Sequence, residues 1–242
     1  MKVIEPLIDS YPRTPIPLSK EWLDLYEETY LKSREGQTWL YKLTQMLEAW
    51  MHRKVASNVR TERLLEIGAG TLNHLKYENN VVRYEAIEPF TALWNDQLNR
   101  GALSEIYRDI ADVPLEDIYD RIISIAVLEH IQNLPFVIAR SGLLLKSGGQ
   151  FNAAIPSEGG FFWGLSWRFT VGISTRIEKG LCYGDLMRHE HISRASEIIS
   201  LIEYFYDDCE IQRFPFNHSH LSLYTYIHAI KPNLKRCRQH AF

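Results

Sequence analysis

Chemistry first becomes available in this chain at Glu66-Ile67-Gly68-Ala69-Gly70. The stretch follows a short apolar run, Leu64 and Leu65, that reads as a strand. Two glycines one residue apart let the backbone turn tightly and let a ligand approach the main chain closely. The acid ahead of them sets the sign of that ligand. Glu66 would repel a pyrophosphate and attract a molecule carrying an ammonium and a sulfonium. Glu88, in Ile87-Glu88-Pro89, ends the next strand-like run and can accept both hydroxyls of a ribose. Asp109, in Arg108-Asp109-Ile110, can bond an exocyclic amine while Ile110 packs on an adenine face. The run Ser124-Ile125-Ala126-Val127-Leu128-Glu129-His130 leaves a fourth strand where a reacting group would sit. His130, His189 and His191 are the candidate proton acceptors, since imidazole titrates near neutral pH. No metal is expected: the His-x-His pair has no carboxylate or cysteine partner fixed by spacing.

These residues need a scaffold, and the patterning supplies one. Strand-like runs near residues 63–67, 81–87, 121–127 and 150–155 alternate with helical patterns such as Thr91–Leu98 and Pro135–Leu145. Strands alternating with helices predict an α/β fold with a parallel sheet covered on both faces. The acids then fall at the carboxyl ends of successive strands, where open α/β sheets bind ligands. Ser147-Gly148-Gly149 reads as the turn between a helix and its following strand. Ser193 is placed to cap a helix through Ile198, Ile199, Leu201 and Ile202, and runs at 209–216 and 221–230 suggest a closing antiparallel hairpin.

Around that core, residues 1–60 form an N-terminal helical region. Ser19 can cap a helix carrying Trp22, Leu25, Tyr26 and Tyr30, and Leu40, Leu43, Leu47 and Trp50 recur at helical steps. Residues 61–230 form the ligand-binding domain. Within it, 157–192 is rich in glycine and aromatics (Phe161, Phe162, Trp163, Trp167, Phe169, Tyr183) and reads as a lid or substrate insertion. Residues 231–242 are a basic, frayed tail.

Composition narrows the partners. A chain of 242 residues, 45% hydrophobic, suits one sizeable core. A formal charge of −3 provides no basic patch, so nucleic acid is not expected as a partner. Cys182, Cys209 and Cys237 are odd in number and widely spaced, which suggests a reducing, cytoplasmic setting rather than a disulfide framework. No apolar run reaches membrane-spanning length, and the N-terminus does not read as a signal peptide. The N-terminal helices could serve as a cap over the pocket or as a homodimer surface.

Taken together, Leu65–Gly70, Glu88, Asp109-Ile110, Ala126–Ile131 and Leu144–Phe151 resemble class I S-adenosylmethionine-dependent methyltransferases of the small-molecule branch. The resemblance covers about residues 62–156, and His189-Glu190-His191-Ile192 is similar to a segment before the last helix of such enzymes. Leu72 stands where that family often has a third glycine, and Ser147 where proline is frequent. The resemblance implies a Rossmann-like, mostly parallel seven-stranded sheet with a final antiparallel strand. It also implies S-adenosylmethionine as cofactor. Glu66 would anchor the methionine ammonium, Gly68, Ala69 and Gly70 would pass beneath methionine and ribose, and Glu88 with Pro89 would hold the ribose. Asp109 and Ile110 would hold adenine, and Ala126 and His130 would line the sulfonium end.

Plainer readings remain for each residue. Glu88 could be a solvated strand-end acid, Asp109 a turn former, and His189 or His191 a brace for the next helix. A nicotinamide-dependent oxidoreductase is a competing reading, but the position of its third glycine is Asn73 and Glu66 has the wrong charge for pyrophosphate. A non-catalytic binding module of the same fold is another. No Asn/Asp-Pro-Pro-aromatic motif follows the fourth strand, which directs the expected acceptor toward a hydroxyl oxygen on a sugar, lipid-linked or secondary-metabolite molecule.

Overall fold

The computed structural model describes residues 4–19, 22, 48–90, 103–116, 118–158 and 183–242. The expected Thr91–Leu98 helix, most of the helices before residue 48 and the aromatic insertion at 159–182 lie outside these residues. Seven strands form one sheet: β1 (Thr61–Ile67), β2 (Val81–Ile87), β3 (Glu105–Tyr107), β4 (Tyr119–Ile125), β5 (Leu145–Pro156), β6 (Tyr206–Pro215) and β7 (Ser222–Pro232). Their order is β3-β2-β1-β4-β5-β7-β6. The first five strands pair in parallel, and β7 runs antiparallel to both β5 and β6.

The apolar runs explain why this sheet is interior. Leu64, Leu65, Ile122 and Ile123 are fully buried, and adjacent residues point to opposite faces. Leu65, Ile67, Ile122, Phe151 and Ile155 share one core with the helices Leu134–Leu144 and Ala195–Phe205. Leu64, Tyr84, Ile123, Ala154 and Tyr224 share the other with Met51 and Val55 of the helical stretch 48–55. Between β1 and β4 the chain switches direction along the sheet. Their carboxyl ends therefore open into a crevice.

Three local expectations are corrected. Residues 231–242 are not frayed: Leu234–His240 is a helix, Asn233 accepts the Arg236 N–H at 3.2 Å, and Cys237 and Ala241 are fully buried. Two small residues one turn apart suffice to dock it, although its basic neighbours mask them in the sequence. Ser147-Gly148-Gly149 does not precede a strand but bulges from within β5. Tyr119 pairs with Leu145 and Arg121 with Gln150, so the bulge absorbs the extra residues, with Gly148 at φ +78°. Ser193 does not cap the Ala195–Phe205 helix. Glu197 reaches back to the Arg194 N–H at 2.8 Å, and Ser193 Oγ bonds the Tyr11 hydroxyl at 2.7 Å. Ser19, by contrast, does accept the Trp22 N–H, at 3.4 Å.

Candidate active site

The β1 end sets the first wall. After Ile67 the chain turns at Gly68, whose φ of +71° favours glycine. A Cβ there would lie 2.5 Å from both methyl carbons of Val127, so the turn and the end of β4 are in contact through a position that admits no side chain. Gly68 and Ala69 both donate to the Ile87 carbonyl, at 2.9 and 3.3 Å, tying the turn to β2. Leu72, in place of a third glycine, takes φ +61° and buries its side chain against Ala69 and Ala86.

Beside this turn lies a cavity of about 500 Å³. Glu66, Gly68, Ala69, Gly70, Ala126, Glu129, His130 and His191 line it, with Met51, His52, Pro156 and Tyr224 among the remaining walls. Glu66 is 3% exposed and accepts the Tyr84 hydroxyl at 2.6 Å. Burial pushes its carboxyl up to about 8; the Tyr84 bond opposes that shift, and the nearby Glu78 and Glu88 add to it. On the wall made by the helical stretch, His52 and His74 face each other at 3.1 Å, and His74 bonds Glu78 at 3.1 Å. Arg121 grips Glu78 with two bonds of 2.9 Å and reaches the Val55 carbonyl at 2.6 Å, which fastens that stretch to the sheet. Burial, then the charges of His74 and Lys76, depress His52 to about 4, so it is neutral at physiological pH.

The β4 end sets the opposite wall. Ala126 adopts φ +53°, a left-handed conformation that costs an alanine about 1–2 kcal/mol. This sharp exit carries the 3₁₀ turn Leu128–His130 into the cavity. Glu129 is 2% exposed, and its Oε2 has no hydrogen-bond partner among the described residues. Burial raises its carboxyl to about 7, opposed by His191. His130 is 41% exposed and donates from Nδ1 to the Glu190 carbonyl at 2.7 Å. Burial and the charge of His191 hold its pKa below the usual histidine range. Its Nε2 stands 3.9 Å from Glu129 Oε1. The His191 ring meets that of His130 edge-on at 4.7 Å, and its Nδ1 is paired with Glu158. Burial would lower the His191 pKa, but the Glu158 bond and the surrounding carboxylates carry it above the ordinary value.

The fold thus brings Glu66, Gly68, Ala69, Gly70, Ala126, His130 and His191 to one cavity. Glu88, Pro89, Asp109 and Ile110 sit at neighbouring strand ends, outside its lining. Glu88 accepts the Gly70 N–H at 2.8 Å and the Phe90 N–H at 2.9 Å, one on each oxygen. Each oxygen keeps a second lone pair for a ligand hydroxyl. Asp109 is exposed and caps the turn Ile110–Asp112, accepting the Ala111 N–H at 2.7 Å. Ile110 is 2% exposed and belongs to the main core. His189 does not join the cavity lining: its Nδ1 bonds the Ile16 carbonyl at 2.6 Å, bracing the Tyr183–Glu190 helix against the N-terminal segment.

Sequence reasoning missed Glu129 and Glu158. Glu129 lay inside the quoted run after β4, and the adjacent Glu-His pair was the available signal. Nothing in the linear order joins Glu158 to His191, which lies 33 residues further along. The expectation of no metal rested on the lack of a carboxylate fixed by spacing. The fold supplies one: ligand atoms of Glu129, His130 and His191 lie within 4.8 Å of one another.

No family model matches this sequence, and a search of curated proteins finds no match. Solved structures do match. NodS, an N-methyltransferase from Bradyrhizobium japonicum WM9 in complex with S-adenosyl-L-homocysteine, is 14% identical with a TM-score of 0.53, over 78% of this chain and 87% of that one. A SAM-dependent methyltransferase from Thermotoga maritima, described as a possible histamine N-methyltransferase, is 15% identical with a TM-score of 0.55, over 86% of this chain and 95% of that one. Phosphoethanolamine N-methyltransferase 2 from Haemonchus contortus, in complex with S-adenosyl-L-methionine, is 13% identical with a TM-score of 0.52, over 77% of this chain and 52% of that one. At these identities the likeness is one of fold. The seven-stranded, Rossmann-like sheet with its antiparallel β7 is the fold of S-adenosylmethionine-dependent methyltransferases.

Proposed function

We propose that this chain is an S-adenosylmethionine-dependent methyltransferase acting on a small molecule, with a hydroxyl oxygen as acceptor. The observation that carries the reading is the convergence of Glu129, His130 and His191 on the cavity that also holds Glu66 and the Gly68 turn. The fit to the cofactor is supported from this chain's own residues. Gly68, Ala69 and Gly70 bring main chain to the cavity wall, and the buried Glu66 offers a carboxyl to an ammonium. In this reading Glu88, with Pro89 beside it, would take the ribose hydroxyls through its remaining lone pairs, and Asp109 would take the adenine amine, with Ile110 beneath it in the core. The cofactor supplies a methyl group already activated on a positive sulfur.

The protein's part is alignment, exclusion of water and removal of a proton. Holding acceptor and donor in line is worth roughly 7–11 kcal/mol of barrier. As the acceptor oxygen bonds the methyl carbon, the carbon–sulfur bond breaks and the hydroxyl proton must leave. The Glu129–His130–His191 cluster eases that loss, and proton handling of this kind contributes about 10²–10⁴-fold. His189 has no part in it. An amine acceptor would make less use of such a cluster, so the site favours oxygen even though the neighbours are named as N-methyltransferases. The antiparallel β7 also departs from the strand order of dinucleotide-binding oxidoreductases.

The test is calorimetry with S-adenosylhomocysteine, followed by transfer of isotope-labelled methyl from S-adenosylmethionine to panels of hydroxyl and amine acceptors. Saturable binding with labelled ethers supports the reading. Absence of binding overturns it, labelled amines alone overturn the oxygen assignment, and binding without transfer to either panel indicates a non-catalytic module.

A further inference from the structure

We propose that Glu129, His130 and His191 hold one divalent first-row transition ion, with an oxygen of the acceptor as a further ligand. The second clause rests on the hydroxyl-acceptor reading above; the ion site itself rests on geometry. Each of the three residues offers a ligand atom, and these lie within 4.8 Å of one another. Closing to metal–ligand distances of about 2.0–2.2 Å requires only a small contraction of side chains around one centre.

The hydrogen bonds have already oriented the donors. A backbone carbonyl only accepts, so His130 must carry its proton on Nδ1, where it meets the Glu190 carbonyl at 2.7 Å. Its Nε2 lone pair is thereby left for the site. His191 likewise commits Nδ1 to the Glu158 carboxylate, the carboxylate–histidine arrangement that fixes metal-ligating imidazoles elsewhere. The third ligand points to a cation independently. Glu129 is almost wholly buried, with Oε2 unpartnered among the described residues and its side chain in the cavity wall. A buried carboxylate oxygen without a donor is costly, and a bound cation removes that cost.

The donor set selects the ion. Two imidazole nitrogens and one carboxylate, with no thiolate, suit manganese, iron, cobalt, nickel or zinc better than calcium or magnesium, which favour oxygen ligands. Three protein ligands leave coordination positions open toward the cavity. An acceptor hydroxyl bound there becomes more acidic, and its proton is released to solvent as the oxygen takes the methyl group.

The experiment uses the full chain, stripped with EDTA and dialysed. It is titrated with MnCl2 followed by electron paramagnetic resonance, and separately with CoCl2 followed by visible absorption. Binding of S-adenosylhomocysteine is measured in parallel by calorimetry. One ion per chain is expected. His130→Ala and Glu129→Gln should each abolish the site or weaken it by more than 100-fold. Glu158→Gln should weaken it by about 10–100-fold, the usual effect of losing a ligand's supporting partner. His189→Ala should leave it unchanged, and so should the pair His218→Ala/His220→Ala, two exposed histidines in the loop between β6 and β7. Each variant must retain the native far-ultraviolet circular dichroism spectrum and cooperative urea unfolding, which shows that it is folded. The proposal is overturned if the native chain binds no ion, if binding survives loss of Glu129 and His130, or if the His218/His220 pair abolishes it. An ion site without any S-adenosylhomocysteine affinity in the native chain overturns the methyltransferase reading instead.

Discussion

Gly68 and Glu66 are neighbours in sequence, yet different physics governs each. Gly68→Ala would combine a left-handed backbone penalty with a clash against Val127, for a loss of roughly 2–4 kcal/mol of stability. Urea unfolding should show that loss, together with weakened S-adenosylhomocysteine binding. Glu66 makes a pH prediction. Its carboxyl ionises near the ordinary 4.5 when unfolded and near 8 when folded. Between those values the folded chain holds the extra proton, so stability falls as pH rises, by up to about 1.4 kcal/mol per unit. Glu66→Gln should flatten that slope in thermal unfolding from pH 5 to 8. A cationic ammonium arriving beside Glu66 favours its ionised form. Calorimetry at pH 7 in buffers of different ionisation enthalpy should therefore register about one proton released per S-adenosylmethionine bound, and none with Glu66→Gln. His189 serves as a brace, so His189→Ala should lower the melting temperature without changing cofactor affinity.

At the level of elements, the strands were easy to read and the short helices were not. β1, β2 and β4 are seven-residue strands that each hold four consecutive buried residues, so both faces are covered, as in the parallel strands of a sheet packed on two sides. The Leu234–His240 helix has no such pattern. Its docking depends on Cys237, whose sulfur sits where a Cβ on Gly142 would come within 2.7 Å. Asn233→Ala removes the cap of this helix and should cost about 1 kcal/mol in denaturant unfolding. This change lies away from the cavity, so cofactor affinity should hold.

Across the whole molecule, the cavity draws on residues from Glu48 to Tyr224, and no single segment could form it alone. The sheet order places the ends of β1 and β4 side by side, and β7 brings Tyr224 to the same rim. A ligand that binds only this assembled site should stabilise it by mass action. S-adenosylhomocysteine at 100 times its dissociation constant contributes about 2.7 kcal/mol. For a chain of this size that should raise the melting temperature by roughly 5–10 °C, and NADH should produce no shift. Among the described residues no helix is long and apolar enough to cross a membrane.

The linear order alone determined the parallel sheet, the glycine turn and the acids at strand ends, because each depends on residue type and on spacings of two to four along the chain. It also singled out His130 and His191, as imidazoles flanking predicted elements, but ranked His189 with them. Only the folded chain separated the three. Helix direction turns His189 toward Ile16, whereas the 3₁₀ turn after Ala126 brings His130 against His191. The same long-range closure buried Glu129 beside them and paired Glu158 with His191. Contacts across dozens of residues have no periodic signature, since they are set by how strands are ordered in the sheet rather than by what precedes or follows each residue.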